Sequence, residues 1–228
     1  MIIVLASRKG GVGKSTVVLN LAVELKARGA DLMLVDADPQ RSIERWTESR
    51  GDASGNRVPI PVVCLSGNIS KNLAVQAQKS EVVLVDAAGH DSVELRAALV
   101  CADVAIFPFR TSDMDLETAD YVRSLIEQAA VANPKLQAVA MLTQCTTNAK
   151  SKEIEQTREV LQSKGFQVLA TRFCDRKIYR DSVGEGLAAS EMPKSAARNS
   201  ASLEINNLMD ELISRFAIMA TPKGEAYG

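Results

Sequence analysis

The stretch that decides the fold is IIVLASRKGGVGKST, residues 2–16. Its apolar beginning predicts a buried strand, Ile2–Ala6, and the residues from Lys14 onward predict a helix. The connection is rich in glycine, so successive backbone N–H groups can turn towards an anion at the helix N-terminus. Its end, Gly13-Lys14-Ser15, matches the end of the phosphate-binding pattern G-x-x-x-x-G-K-[ST], in which the lysine reaches the β- and γ-phosphates and the hydroxyl binds Mg²⁺.

Two simpler interpretations of this loop explain less. A purely structural turn leaves its two lysines and its serine without a role. A dinucleotide-binding turn also follows a first strand, and Asp36 or Asp38 would suit its ribose-binding acid. However, the run GVGKST, residues 11–16, lacks the third small residue that this fingerprint requires. We therefore interpret the loop as a phosphate-binding loop.

The loop departs from the ordinary pattern at its beginning, where Arg8 replaces the first glycine and a second lysine, Lys9, precedes a Gly-Gly pair. This arrangement resembles the deviant Walker A motif, K-G-G-x-x-G-K-[ST], of the ParA/MinD family of ATPases. The resemblance implies that Lys9 crosses a dimer interface to the nucleotide of the other subunit, while Lys14 and Ser15 serve their own ATP and Mg²⁺. The nucleotide-binding residues would be Gly10, Gly11, Val12, Gly13, Lys14, Ser15 and Thr16.

Two further runs end in carboxylates. LMLVDADPQ, residues 32–40, resembles the family's switch segment D-x-D-P-Q, in which Asp38 would orient the attacking water beside Mg²⁺ and Asp36 would shape the loop. An Asp-Pro pair after a strand is also an ordinary turn. VVLVDAAG, residues 82–89, is a Walker B pattern whose Asp86 would reach Mg²⁺ through water, and Gly89 would approach the γ-phosphate with its N–H. Thr143 and Gln144 follow a later predicted strand and match the region that the family uses for adenine.

Short apolar runs alternate with longer helical patterns along the chain, which indicates βαβ units and a parallel sheet. We predict a single-domain α/β P-loop NTPase over residues 1–219, with a mostly parallel twisted sheet flanked by helices on both faces, and a flexible tail at 220–228. The predicted strands are Ile2–Ala6, Leu32–Val35, Val62–Leu65, Val82–Val85, Val104–Phe107, Ala138–Leu142 and Gln167–Ala170. The predicted helices are Lys14–Ala27, Arg41–Glu48, Val93–Val100, Leu116–Ala132, Ser151–Lys164 and Leu203–Phe216. The segment Arg50–Arg57 is predicted to be a polar loop.

Charge is balanced overall but segregated along the chain. The 27 basic and 28 acidic residues give a formal net charge of −1, so any binding of nucleic acid requires a local patch. Residues 81–127 hold ten acids against three arginines, whereas residues 164–198 hold seven bases against four acids. The second region supplies the predicted contacts to DNA, which are Arg176, Lys177, Arg180, Lys194 and Arg198.

The resemblance implies an ATP-dependent homodimer that binds DNA nonspecifically, and a small centromere-binding or adaptor protein that stimulates hydrolysis. We therefore expect a partition ATPase in the cytoplasm, associated with the nucleoid. A MinD-like membrane function is disfavoured because the last predicted helix carries three acids and one base on its polar side. An iron-protein-like reductase is disfavoured because the four cysteines lack the arrangement that a shared cluster needs. Whether the cargo is a plasmid, a chromosome or a protein assembly stays open.

Overall fold

All seven predicted strands are present in a single parallel sheet. The computed structural model describes residues 1–52, 57–111, 117–148 and 151–218. Its strands lie in the order β3-β2-β4-β1-β5-β6-β7, and every neighbouring pair is parallel. The mostly parallel sheet of the prediction is thus wholly parallel within these residues. The strands are β1 Ile2–Leu5, β2 Leu32–Ala37, β3 Val62–Cys64, β4 Val82–Ala87, β5 Val104–Phe109, β6 Gln137–Cys145 and β7 Gln167–Cys174.

The described residues form eight α-helices and a short 3₁₀ turn, Ala189–Glu191. The helices are α1 Lys14–Ala27, α2 Ser42–Asp52, α3 Ser70–Lys79, α4 Val93–Cys101, α5 Ala119–Ala132, α6 Lys152–Ser163, α7 Lys177–Gly184 and α8 Ala196–Phe216. Sequence analysis missed α3 and α7. Both are short, and α3 buries one side chain, Leu73, so neither presents the long apolar stripe that periodicity detects. The predicted start of α5 at Leu116 lies outside the described residues.

The central strands β1, β4 and β5 bury both of their faces. Along β1, Ile3 and Leu5 belong to a core with α1 and α8, while Ile2 and Val4 belong to a second core on the opposite face. This arrangement follows from the twofold alternation of side chains in a strand, and it explains why the strands appear in the sequence as continuous apolar runs. The apolar side of α8 packs on the domain, as its spacing predicted. Among the described helices, none is long and apolar enough to cross a membrane.

The predicted loop at Arg50–Arg57 is wrong at its beginning, because α2 continues through Asp52. Arg50 is buried, and its guanidinium donates to both carboxylate oxygens of Glu191 at 2.7 Å and to the carbonyl oxygen of Gly186 at 3.2 Å. A buried arginine requires such a partner. The partner lies 141 residues away in the chain, so local composition gave no sign of it. Residues 53–56 of the predicted loop lie outside the described residues.

Candidate functional site

The parallel sheet brings the three predicted motifs to one edge. The carboxyl end of β1 leads into the glycine-rich loop, and the neighbouring β4 and β2 lead into Asp86 and Asp38. Ligands of open α/β sheets bind at this edge. The order of the strands therefore places residues 9–15 and Asp38 around one pocket, with Asp86 buried behind it.

Lys14 and Ser15 form the floor of this pocket, and the buried Asp86 lies beneath them. The Lys14 ammonium lies 2.6 Å from one carboxylate oxygen of Asp86, and the Ser15 hydroxyl donates to the other oxygen at 2.6 Å. Asp86 is fully buried, and its burial raises the pKa of its carboxyl, an effect that Lys14 opposes. Lys14 lines the pocket, so the phosphate oxygens of a bound nucleotide would compete with Asp86 for its ammonium group.

The two acids of the switch segment do different work. The buried Asp36 carboxylate accepts hydrogen bonds from the backbone N–H groups of Asp38, Ile43 and Glu44 at 3.0–3.1 Å, so it fixes the loop and the beginning of α2. Asp38 lies on the pocket, where one carboxylate oxygen is 3.4 Å from the Lys14 ammonium and the other accepts from Gln40 N–H at 2.9 Å. Asp36 is thus a structural acid, and Asp38 is the acid available to a ligand.

The loop after β4 packs directly against the glycine-rich loop. A Cβ atom at Gly89 would lie 3.2 Å from Cα and N of Gly10, closer than ordinary contact, so glycine is needed for this approach. Within the loop, Gly11 and Gly13 adopt φ values of 76° and 83°, which favour glycine. Lys9 is half-buried at the rim of the pocket.

The pocket fits a nucleoside triphosphate with Mg²⁺. Its volume is about 360 Å³, within the usual range for small-molecule sites, and residues 9–16, Asp38 and Gly89 line it. Ser15, Asp38 and Asp86 supply the oxygen ligands that Mg²⁺ prefers. No group of three or more His, Cys, Asp or Glu in the described chain would hold a metal alone. Sequence analysis missed Ser7 and Ser42, which also line the pocket.

A second, smaller pocket of about 100 Å³ adjoins the first, and Gln144 lines both. It lies between the start of α1 and the segment from Phe173 to Arg180. Thr143 is buried, and its hydroxyl donates to the carbonyl oxygen of Val12 at 2.7 Å, while the Gln144 amide donates to the carbonyl oxygen of Gly11 at 2.6 Å. An adenine contact by Thr143 and Gln144 stays a prediction.

The predicted DNA-binding residues do not form a patch of unpaired charge. Arg176 pairs with Glu204 and Lys177 pairs with Asp181, both at 2.8 Å, and Arg180 pairs with Asp175. Arg176 and Arg180 also line the smaller pocket. The Arg198 guanidinium donates to the carbonyl oxygen of Ser190 at 2.7 Å, and Lys194 is exposed. Three of the five bases are thus paired with acids, and one of those acids, Glu204, lies outside residues 164–198.

Comparison with known proteins identifies the family of this site. Residues 3–189 match the family model described as the CobQ/CobB/MinD/ParA nucleotide binding domain. The chain belongs to this family. It is therefore a P-loop protein of the ParA/MinD group of ATPases, as the resemblance of residues 8–16 predicted.

Relatives of this ATPase match it over most of its length. Maintenance of carboxysome distribution protein A from Halothiobacillus neapolitanus is 30% identical over 209 residues, which cover 91% of this chain and 94% of the relative. Protein ParA from Rhizobium radiobacter is 27% identical over 183 residues, 78% of this chain and 80% of the relative.

Solved structures show the same fold. Apo McdA from Cyanothece has a TM-score of 0.75 at 13% identity and covers 92% of this chain and 98% of its own. A putative plasmid partition protein from Borrelia burgdorferi bound to AMPPNP has a TM-score of 0.68 at 20% identity, with coverage of 92% and 98%.

Proposed function

We propose that this ATPase is a positioning switch, which dimerises when ATP binds and separates after hydrolysis, and which distributes a cargo over DNA with the help of an adaptor protein. The observation that carries this proposal is the presence of two lysines on one phosphate pocket. Lys14 is buried on the floor beside Asp86, and Lys9 lies at the rim, five residues earlier. The floor lysine suffices for the phosphates of its own subunit, so a rim lysine is suited to a nucleotide in a facing subunit.

The residues of the pocket divide the work of hydrolysis. ATP with Mg²⁺ supplies the phosphoanhydride bond and neutralises the charge that develops when the bond breaks. Lys14 and the loop N–H groups bind phosphate oxygens, Ser15 and Asp86 hold the metal side of the pocket, and Asp38 orients the attacking water. Because Asp38 and Gly89 lie on two separate loops that meet the nucleotide, both loops can respond to the loss of the γ-phosphate.

The relatives support a positioning role. One is named for the distribution of carboxysomes, and others are named ParA and plasmid partition protein. A carboxysome is a protein assembly, whereas a plasmid is DNA. The cargo of this chain is therefore proposed to be of one of these two kinds. Imaging of DNA and of protein assemblies in cells that lack this ATPase distinguishes them: a DNA cargo is lost from daughter cells, whereas a protein assembly becomes clustered.

Replacement of Lys9 by alanine is expected to separate nucleotide binding from dimerisation. The variant should bind ADP within about twofold of the parent, because Lys14 still contacts the phosphates. With ATP it should stay monomeric, since the two cations that cross the interface are lost, and truncating one partner of a buried charge contact costs about 2–5 kcal/mol. Analytical ultracentrifugation with ATP and with ADP measures the difference.

Lys26→Ala, a lysine of α1 away from the pocket, is the matched control and should dimerise as the parent does. A Lys9→Ala protein that dimerises with ATP and hydrolyses it at the parent rate would contradict the proposed switch.

Nonspecific DNA binding is expected to need ATP and the exposed lysines of the C-terminal region. Arg176 is a poor choice for testing this surface, because its loss would leave Glu204 without its cation beside the smaller pocket. Lys177 and Lys194 are exposed, so their reversal to glutamate should weaken DNA binding and leave ATP-dependent dimerisation intact. Two surfaces in one dimer act together, which makes binding depend on ATP.

Filter binding or fluorescence anisotropy over a range of salt concentrations measures this effect. The log–log salt slope should fall by about one unit for each lysine that contacts a phosphate. Reversal of Lys71 and Lys135, two exposed lysines elsewhere, makes the same change of charge and serves as the control. Equal loss of binding in both double variants would show that net charge, and not this surface, governs binding.

A further inference from the structure

Two carbonyl groups of the phosphate loop are held from the side of β6. The Gly11 carbonyl oxygen accepts from the Gln144 side-chain amide at 2.6 Å, and the Val12 carbonyl oxygen accepts from the Thr143 hydroxyl at 2.7 Å. The Thr143 hydroxyl also lies 3.4 Å from the carbonyl oxygen of Phe109 at the end of β5. Consecutive residues at the end of one strand therefore hold consecutive peptide groups of the loop.

The geometry of the peptide bond gives these contacts a consequence for the loop. No peptide bond in the described chain is cis, and in a planar trans peptide the C=O and N–H groups point in opposite directions. The Gly11 carbonyl shares its peptide with Val12 N–H, and the Val12 carbonyl shares its peptide with Gly13 N–H. Holding both carbonyls towards β6 turns both N–H groups away from β6.

We propose that Thr143 and Gln144 are positioning residues for the phosphate loop, which hold the N–H groups of Val12 and Gly13 towards the phosphates before a nucleotide arrives. This inference rests on the proposed binding of ATP. Without these contacts, both peptides would be free to rotate, and the bound nucleotide would have to order them at a cost in affinity.

The backbone of Gln144 supports this role. Its φ of 50° is unusual for a residue other than glycine, and such conformations persist where the surrounding structure compensates for their strain. The side chain is exposed and still donates to Gly11, so burial does not explain its position. Gly13 fits the same arrangement, because a Cβ there would lie 3.8 Å from the Gln144 amide nitrogen and 3.9 Å from the Thr143 Cβ.

The test uses variants that keep size and remove the donor, Thr143→Val and Gln144→Met, with calorimetry of ADP and GDP. Each variant should lose about five- to tenfold in ADP affinity, which is the order expected for one hydrogen bond. GDP affinity should fall by the same factor, because the loop contacts phosphates that both nucleotides share. A changed ratio of ADP to GDP affinity would overturn the proposal and assign Thr143 and Gln144 to the base.

Two further variants guard against a merely structural effect. Thr143→Ser keeps the hydroxyl and should retain the parent's affinity. Gln144→Gly removes the donor but also the backbone strain, so it should lose ADP affinity as Gln144→Met does; a gain would show that strain alone matters. In the amide NMR spectrum of the nucleotide-free protein, the resonances of Val12 and Gly13 should shift in both Thr143→Val and Gln144→Met.

The outcomes distinguish this inference from the proposed function. Unchanged ADP affinity in Thr143→Val and Gln144→Met, with a parent that binds ADP, overturns the positioning role alone. A parent that binds ADP but does not dimerise with ATP overturns the proposed switch and leaves the positioning role standing.

Discussion

Replacing Lys14 by alanine is expected to lower ATP affinity by at least about a hundredfold. The ammonium is the cation on the floor of the phosphate pocket, where hydrogen bonds between charged groups each contribute about 1.5–3 kcal/mol. Its loss removes contacts to two phosphates at once, so the effect is larger than that of any other single residue of the loop. Isothermal titration calorimetry with ATP at neutral pH measures it.

Because Lys14 pairs with the buried Asp86, the stability of the Lys14→Ala protein must be measured as a control. Without Lys14, the buried carboxylate loses its cation, and breaking such a pair costs about 3–5 kcal/mol in other proteins. Burial already raises the pKa of Asp86 in the folded protein. A group whose folded pKa is raised favours the folded state at low pH and loses that contribution as pH rises through the folded pKa. The loss of unfolding free energy caused by Lys14→Ala should therefore grow with rising pH. It should shrink in acid, where Asp86 is protonated in both the folded and the unfolded state.

A second variant keeps the test decisive if Lys14→Ala unfolds. Lys14→Ala combined with Asp86→Asn removes both charges, so the buried site no longer holds an unpaired carboxylate. This double variant should be folded by circular dichroism and should still bind no ATP. A folded Lys14 variant that binds ATP as the parent does would contradict the assignment of the loop.

Replacing Asp38 by alanine is expected to slow hydrolysis by about a hundredfold or more while ATP still binds. Positioned acids and bases contribute about 10²–10⁴-fold to such reactions. The pocket floor survives the change, because Lys14 is 2.6 Å from Asp86 and 3.4 Å from Asp38. ATP binding and dimerisation should therefore persist, and the dimer should accumulate because it reopens slowly. Phosphate release under single-turnover conditions, with sedimentation of the same sample, measures both effects.

Two neighbouring substitutions sharpen this result. Asp38→Asn keeps the shape and the acceptor for Gln40 N–H, so a loss equal to that of Asp38→Ala assigns the effect to the charge. Asp36→Ala removes the acceptor of three backbone N–H groups and should lower the melting temperature. If Asp38→Ala hydrolysed ATP at the parent rate, the water-orienting role would belong to another residue.

The phosphate loop, the parallel sheet and the family are all predictable from the sequence. These features are local: a glycine-rich turn between an apolar run and a helix carries its chemistry in consecutive residues, and apolar runs mark buried strands wherever they lie. The Walker B acid could be placed at the same edge because strands of a parallel sheet all end on one side. Hence Lys14, Ser15, Asp38 and Asp86 were predicted together, and the structure brings them together.

The pairing of polar groups, by contrast, is visible only in the folded chain. Arg50 meets Glu191 across 141 positions of chain and Arg176 meets Glu204, so the first residue of a segment that appeared polar is buried, and a base of the segment that appeared basic is paired with an acid outside it. The contacts of Thr143 and Gln144 with the loop likewise join residues more than 130 positions apart. Burial and the cost of leaving a polar group without a partner depend on which elements pack together, and that is a property of the folded chain rather than of any stretch of it.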